Sequence, residues 1–129
     1  MVGRIVIYTD GACIPNPGKG GWAYFIPSTG EHQFGCDPNT TNNRMELIAI
    51  CKALIRFTDP TPILIKTDSQ YCIRVANKKT RAVKNPDLWQ LIQELCAYHD
   101  VKFEWVKGHS DDPHNNRVDE LANTAAVNQ

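Results

Sequence analysis

The chain opens with a nearly continuous apolar, β-branched run over residues 5–10, Ile5-Val6-Ile7-Tyr8, that closes on Thr9-Asp10-Gly11. A run apolar on both faces reads as a central strand, here entering a glycine turn, so Asp10 is expected at the strand's C-terminal end. Residues 15–21 are rich in proline and glycine, and two further strand patterns, over 22–26 and 31–36, flank the turn Pro27-Ser28-Thr29-Gly30. The three runs predict an antiparallel meander.

The period then changes. Thr41-Asn42-Asn43 offers helix caps before a stretch in which Leu47, Ile50, Cys51 and Leu54 recur at helical spacing, with Ile48, Ala49 and Ile55 widening the stripe. A helix apolar on most sides is expected to be largely buried. Residues 63–68 repeat the opening pattern, an apolar run ending in Thr67-Asp68. Strand, buried helix, strand implies a right-handed crossover and parallel pairing, hence an α/β fold. A short helix over 70–76 follows, then Asn85-Pro86 as cap and first-turn proline of a helix striped by Leu88, Leu91, Ile92 and Leu95. Residues 101–106 form the next strand, 108–116 a polar loop, and Val118, Leu121, Ala122 and Ala125 mark a last helix.

At 129 residues and 42% hydrophobic, the chain suffices for one core, and a single domain over 1–129 is expected. No run of eighteen apolar residues occurs, and no charged leader precedes the first strand, so a soluble, cytoplasmic, non-membrane protein is expected. Five cysteines, an odd number with no CxxC pair, argue against a disulfide framework or a zinc site. Fourteen basic residues balance fourteen acidic ones, so global charge says nothing for a polyanionic partner. Locally, Arg74, Lys78, Lys79, Arg81 and Lys84 form a basic run without acids, a pattern that is ordinarily a solvated face.

The candidate chemistry lies in the carboxylates. If the two Thr-Asp strands are neighbours, Asp10 and Asp68 stand side by side at one sheet edge, where α/β sheets place their sites. Glu46 sits on the helical face of Ile50, Ala53 and Phe57, an otherwise apolar stripe. Taken alone it is equally a capping residue or a salt-bridge partner of Arg44 or Arg117. Three converging carboxylates need a counter-charge, and no lysine or arginine neighbours Asp10 or Asp68 except Lys66, two residues upstream of Asp68. Oxygen ligands alone suit Mg²⁺ or Mn²⁺, and two such ions roughly 3.5–4 Å apart can clamp the attacking and leaving oxygens of a phosphodiester hydrolysis. Asp119, beside the apolar stripe of the last helix, is either a fourth ligand or an ordinary exposed aspartate. His109, in the loop after Gly108, is either a surface residue or a proton shuttle. Trp22, Trp89 and Trp105 each adjoin strong apolar patterns and read first as packing residues.

These residues stand in five ordered motifs: Thr9-Asp10-Gly11-Ala12-Cys13; Asn16-Pro17-Gly18 with Gly20-Gly21; Thr41-Asn42-Asn43-Arg44-Met45-Glu46-Leu47; Thr67-Asp68-Ser69-Gln70-Tyr71; and Trp105-Val106-Lys107-Gly108-His109 with Asn116, Asp119, Leu121 and Ala122. Along nearly its whole length the chain resembles type 1 ribonuclease H. The resemblance implies a ribonuclease H-like fold, a five-stranded mixed sheet with helices on both faces. It also implies an endoribonuclease that hydrolyses the RNA strand of RNA/DNA hybrids with two Mg²⁺ ions, or Mn²⁺ in their place, leaving 5′-phosphate and 3′-hydroxyl ends. By resemblance the metal ligands are Asp10, Glu46, Asp68 and Asp119, with His109 as auxiliary catalyst. Asp10 would bridge both ions, Asp119 would hold the ion on the water side, and Glu46 with Asp68 would hold the ion beside the leaving oxygen. Cys13, Asn16, Asn42, Asn43 and Gln70 would meet the hybrid's minor groove, where the RNA 2′-hydroxyls lie. Thr41 and Asn85 match a DNA phosphate pocket, and Trp89 matches a DNA-channel tryptophan.

The chain departs from the family in two places. Pro27 stands where several relatives carry a basic residue, and the segment between Tyr71 and Val83 is too short for the basic protrusion of others, so Arg74, Lys78, Lys79, Arg81 and Lys84 replace it in part. Fewer phosphate contacts imply looser hybrid binding. Three other readings share the carboxylate site. A transposase or integrase core would act on DNA but lacks the Thr-Asn-Asn-Arg-Met-Glu context. The ribonuclease H portion of a reverse transcriptase would look similar, and the starting Met1 with a single domain favours a free-standing enzyme; a monomer without an obligate protein partner is expected. A non-catalytic hybrid-binding module would be expected to lack at least one of the four carboxylates.

Overall fold

The structure, a computed structural model of the chain, describes residues 3–77, 84–108 and 111–129. Its elements are β1 (Ile5–Cys13), β2 (Gly18–Ile26), β3 (Glu31–Thr40), α1 (Asn42–Ile55), β4 (Pro62–Thr67), α2 (Gln70–Ala76), α3 (Pro86–Tyr98), β5 (Asp100–Trp105) and α4 (Pro113–Val127). The strands form one five-stranded sheet in the order β3-β2-β1-β4-β5. The β3-β2-β1 part is the expected antiparallel meander, and β1, β4 and β5 run parallel. The fold is the mixed α/β sheet anticipated from the pattern.

Several boundaries differ from expectation: β2 starts at Gly18 instead of residue 22, α4 starts at Pro113 inside the expected 108–116 loop, and β1 and β3 both run on. β1 does not turn at Gly11 but continues to Cys13, with Asp10, Gly11, Ala12 and Cys13 paired to Ala23, Trp22, Gly21 and Gly20 of β2. The parallel ladder to β4 stops earlier, at Tyr8 opposite Lys66. Asp10 therefore lies within a strand, at the point where that strand has lost one neighbour and kept the other. Gly11 marks a close approach rather than a reversal: a Cβ there would collide with the backbone of Met45 and Glu46. β3 likewise runs past its expected end at Cys36, through Pro38 to Thr40, which an edge strand tolerates because its outer N–H groups need no ladder partner.

Strand alternation feeds two cores. On one face Ile7, Tyr24, Ile26, Ile63 and Ile65 pack under Leu47, Ile50, Cys51 and Leu54 of α1, joined by Cys72 and Val75 of α2 and Trp89 and Ile92 of α3. On the other, Tyr8, Ala12 and Ala23 pack under Val118 and Ala122 of α4. Gly21 permits that second contact, since a Cβ on it would meet the Ala122 carbonyl and the Ala126 amide.

α1 begins as expected, with Thr41 as N-cap accepting from the Arg44 N–H at 3.2 Å. Asn85 is the N-cap residue of α3, but its side chain makes no capping bond; its backbone is left-handed, φ 57° and ψ 47°. Its amide oxygen instead accepts from Arg44 Nη1 at 3.0 Å, and Arg44 also pairs with Asp87 at 3.0 Å, so α1 and α3 are joined at their N-termini. Arg44 is thus engaged by Asn85 and Asp87, and among the described residues no ion pair joins it to Glu46. All five cysteines are free; Cys13, Cys51 and Cys72 are buried, whereas Cys36 is exposed. Pro27 falls just beyond β2, in the turn to β3. Of the basic run, Arg74 and Lys84 are exposed, and Lys78, Lys79 and Arg81 lie outside the described residues. Among the described residues no helix is long and apolar enough to cross a membrane.

Candidate active site

Three elements bring three carboxylates together. Asp10 comes from β1, Asp68 from the residue after β4, and Glu46 from the first turns of α1, and one oxygen of each lies within 4.8 Å of the other two. The β1–β4 parallel pairing sets Asp10 and Asp68 side by side, and the gap over Gly11 lets Glu46 reach them from the helix layer. Asp119, on α4, lines the same cleft from the opposite face of the sheet. Asp10 and Glu46 are buried and Asp68 is half-buried. The four line an open cleft of about 550 Å³ together with Cys13, Asn42, Asn43 and Ser69.

Burial dominates the electrostatics of Asp10 and Glu46. Burial pushes the Asp10 carboxyl well above its ordinary range, reinforced by the charges of Glu46 and Asp68 and by contact with Asp119. Burial likewise raises Glu46 to about 8, against the opposing pull of hydrogen bonds from Asp10 and the Gly11 amide. Asp10 Oδ1 accepts the Gly11 N–H at 2.9 Å, but Asp10 Oδ2 and Glu46 Oε2 are buried with no hydrogen-bond donor among the described residues. Lys66 does not supply the counter-charge: its ammonium pairs with Glu104 at 3.5 Å and lies over the Tyr8 ring. Buried carboxylate oxygens without donors, in an all-oxygen set open to solvent, fit a hard divalent cation.

Of the remaining expected residues, Cys13, Asn42 and Asn43 line this cleft. Cys13 ends β1 with its thiol 3.2 Å from the Pro15 carbonyl and 3.3 Å from the Thr40 carbonyl. Asn16 Oδ1 accepts the Asn42 N–H at 3.1 Å, which ties the β1–β2 connection to the start of α1. Gln70 is the exposed first residue of α2. Thr41 and Asn85 stand apart from the carboxylates, at the joined N-termini of α1 and α3. His109 lies outside the described residues.

Two tryptophans differ sharply in exposure. Trp89 is only 4% exposed, packed in the main core with its indole N–H donating to the Tyr71 hydroxyl at 3.0 Å, the packing environment read first from the sequence. Trp105, read as packing, is 44% exposed, and its indole N–H donates to the Asp68 carbonyl at 3.2 Å. Nothing in the periodicity around Trp105 announces that contact, because it depends on the register of β5 against β4. Asn123 was also missed; it lines the cleft one helical turn beyond Asp119, a spacing that would have placed it there.

Comparison with known proteins agrees with this geometry. The RNase H family profile matches residues 3–127. The chain is 45% identical to a ribonuclease H of Pseudomonas paraeruginosa over 93% of this chain and 91% of that one. It is 46% identical to a ribonuclease H of Chlorobium phaeobacteroides over 99% of each chain. Among solved structures, that of LC11-RNase H1 in complex with RNA/DNA hybrid superimposes with a TM-score of 0.77 at 26% identity, covering 95% of this chain and 96% of that one. A profile match across nearly all of the chain, relatives at this identity and a shared fold place the protein in the ribonuclease H family.

Proposed function

We propose that this protein is a metal-dependent endoribonuclease that hydrolyses the RNA strand of RNA/DNA hybrids, leaving 5′-phosphate and 3′-hydroxyl ends. The observation that carries the proposal is the convergence of Asp10, Glu46 and Asp68 within 4.8 Å, two of them with a buried oxygen lacking any donor among the described residues, in a chain of this family. A related enzyme solved with an RNA/DNA hybrid supports the choice of substrate.

Asp10, Glu46, Asp68 and Asp119 would hold two Mg²⁺ ions, or Mn²⁺ in their place. When bound, such ions neutralise the scissile phosphate, lower the pKa of the attacking water and stabilise the departing oxygen. The protein's part is position and charge. Asp10, held by the Gly11 amide, sits centrally and would contribute to both ions, with Asp119 on the water side and Glu46 and Asp68 on the leaving-group side. Cys13, Asn42 and Asn43, which line the cleft, together with Asn16 and Gln70 would contact the hybrid's minor groove, reading the RNA 2′-hydroxyls. Thr41 and Asn85, held beside Arg44, would receive a phosphate of the DNA strand. His109 enters by its motif, as the group that carries protons at the reacting phosphate. One domain over residues 1–129, working as a monomer in the cytoplasm, completes the proposal.

The test is cleavage of one labelled RNA as a DNA hybrid, as an RNA duplex and as a single strand, with Mg²⁺, Mn²⁺ or chelator, beside Asp10→Asn. Cleavage confined to the hybrid, and lost with chelator and in the variant, is the expected result. Metal-dependent cutting of DNA, or hybrid binding without cleavage, would overturn it.

A further inference from the structure

Tyr8 and Asp112 form a link between the sheet and the start of the last helix that the catalytic reading leaves unused. The Tyr8 hydroxyl donates to Asp112 Oδ2 at 2.8 Å across 104 residues of sequence. Tyr8 is 4% exposed and belongs to the core on the α4 face of the sheet, two residues before Asp10 on the same side of β1. Asp112 is the N-cap of α4, and its other oxygen accepts from the backbone amides of His114 at 3.0 Å and Asn115 at 3.3 Å. One carboxylate therefore both starts the helix that carries Asp119 and is held by the strand that carries Asp10.

We propose that Tyr8 is a positioning residue for the metal site: through Asp112 it sets where α4 starts and how it is rotated over β1, and so holds Asp119 against Asp10. Asp119 lies seven residues beyond the cap, about two turns at 3.6 residues per turn, on the same side of the helix as Asp112. α4 packs on the sheet through Val118 and Ala122, with Ala122, Ala125 and Ala126 over Gly21. Small side chains make shallow ridges, which resist separation better than rotation or sliding. Directional hydrogen bonds at the two ends oppose those motions. At the C-terminal end Gln129 Nε2 donates to the Gly20 carbonyl at 3.1 Å, and at the N-terminal end Tyr8 holds Asp112. Burial and the Asp112 contact also raise the Tyr8 phenol to about 12, so the donor keeps its proton throughout the neutral range.

The inference rests on the metal-site reading above, and wild type measured in parallel separates the two. Mn²⁺ binding is followed by calorimetry without hybrid, and kcat and KM for hybrid are followed across metal concentration, for wild type, Tyr8→Phe and Asp112→Asn. Tyr8→Phe is expected to bind Mn²⁺ roughly three- to tenfold more weakly, with kcat falling at low metal, recovering at high metal, and KM unchanged. Asp112→Asn, whose amide oxygen caps the helix while its NH₂ donates to the Tyr8 oxygen, is expected to stay near wild type. Wild-type metal affinity in Tyr8→Phe, with or without a lower thermal midpoint, would overturn the positioning role. A wild type that neither binds metal nor cleaves would instead overturn the function proposed above.

Discussion

Gly11 lies directly beneath Glu46: a methyl group on its α-carbon would overlap the Glu46 backbone nitrogen and the Met45 backbone. The same glycine donates its amide to Asp10 at 2.9 Å, so one residue governs the approach of two metal-binding candidates. Gly11→Ala is expected to lower stability by about 1–3 kcal/mol through overpacking. A shift of α1 by about an ångström would lower the cleavage rate on the order of 100-fold. Urea midpoints and hybrid cleavage check both; a variant unchanged in the two measurements would mean that α1 is not seated on this glycine.

Metal-free stability is expected to fall as pH rises through the neutral range. Glu46 is raised from 4.5 to about 8 in the folded protein, chiefly by burial, and Asp10 is raised as well. Across that window the folded state holds protons that the unfolded chain has released. The slope of unfolding free energy with pH is therefore negative, and the loss is complete only above about 8. Denaturant midpoints in chelator from about pH 5 to about pH 8 should decline steadily, and saturating Mg²⁺ should flatten the decline by neutralising the carboxylates. A metal-free protein whose stability rises over the same range would contradict the raised values.

Trp105 supports Asp68 from the exposed side of the sheet edge. Trp105→Phe keeps a ring and removes the N–H that donates to the Asp68 carbonyl at 3.2 Å. With the residue 44% exposed, the stability change is expected to stay below about 1 kcal/mol. The hybrid cleavage rate should fall several-fold, because Asp68 loses a fixed backbone. Equal rates for the variant and wild type would make this contact structural only.

Asn85 combines a left-handed backbone, φ 57°, with a hydrogen bond from Arg44. Asn85→Ala and Asn85→Gly both remove the hydrogen bond, but alanine keeps the steric cost of that backbone and glycine relieves it. The alanine variant should be the less stable by about 1 kcal/mol, and both should raise KM for hybrid more than they lower kcat. Equal stability of the two variants would argue that the backbone relaxes out of the left-handed region.

The order of elements, the strand character of residues 5–10 and 63–67, and the burial of α1 were legible along the chain, because a period of two or of 3.6 residues is imposed by local geometry. So were the four carboxylates, whose residue types and motif settings needed no coordinates to single out. Contacts between elements were not legible. That β1 passes through Gly11 instead of turning there, that Trp89 is core while Trp105 stands at the site, and that Tyr8 reaches Asp112 all depend on register and helix rotation. Hydrophobic spacing specifies which side of an element faces inward, but not which distant residue it meets there. That choice is made by packing between layers, and here it places Asp10, from the face shared with α4, against Glu46 from the face shared with α1.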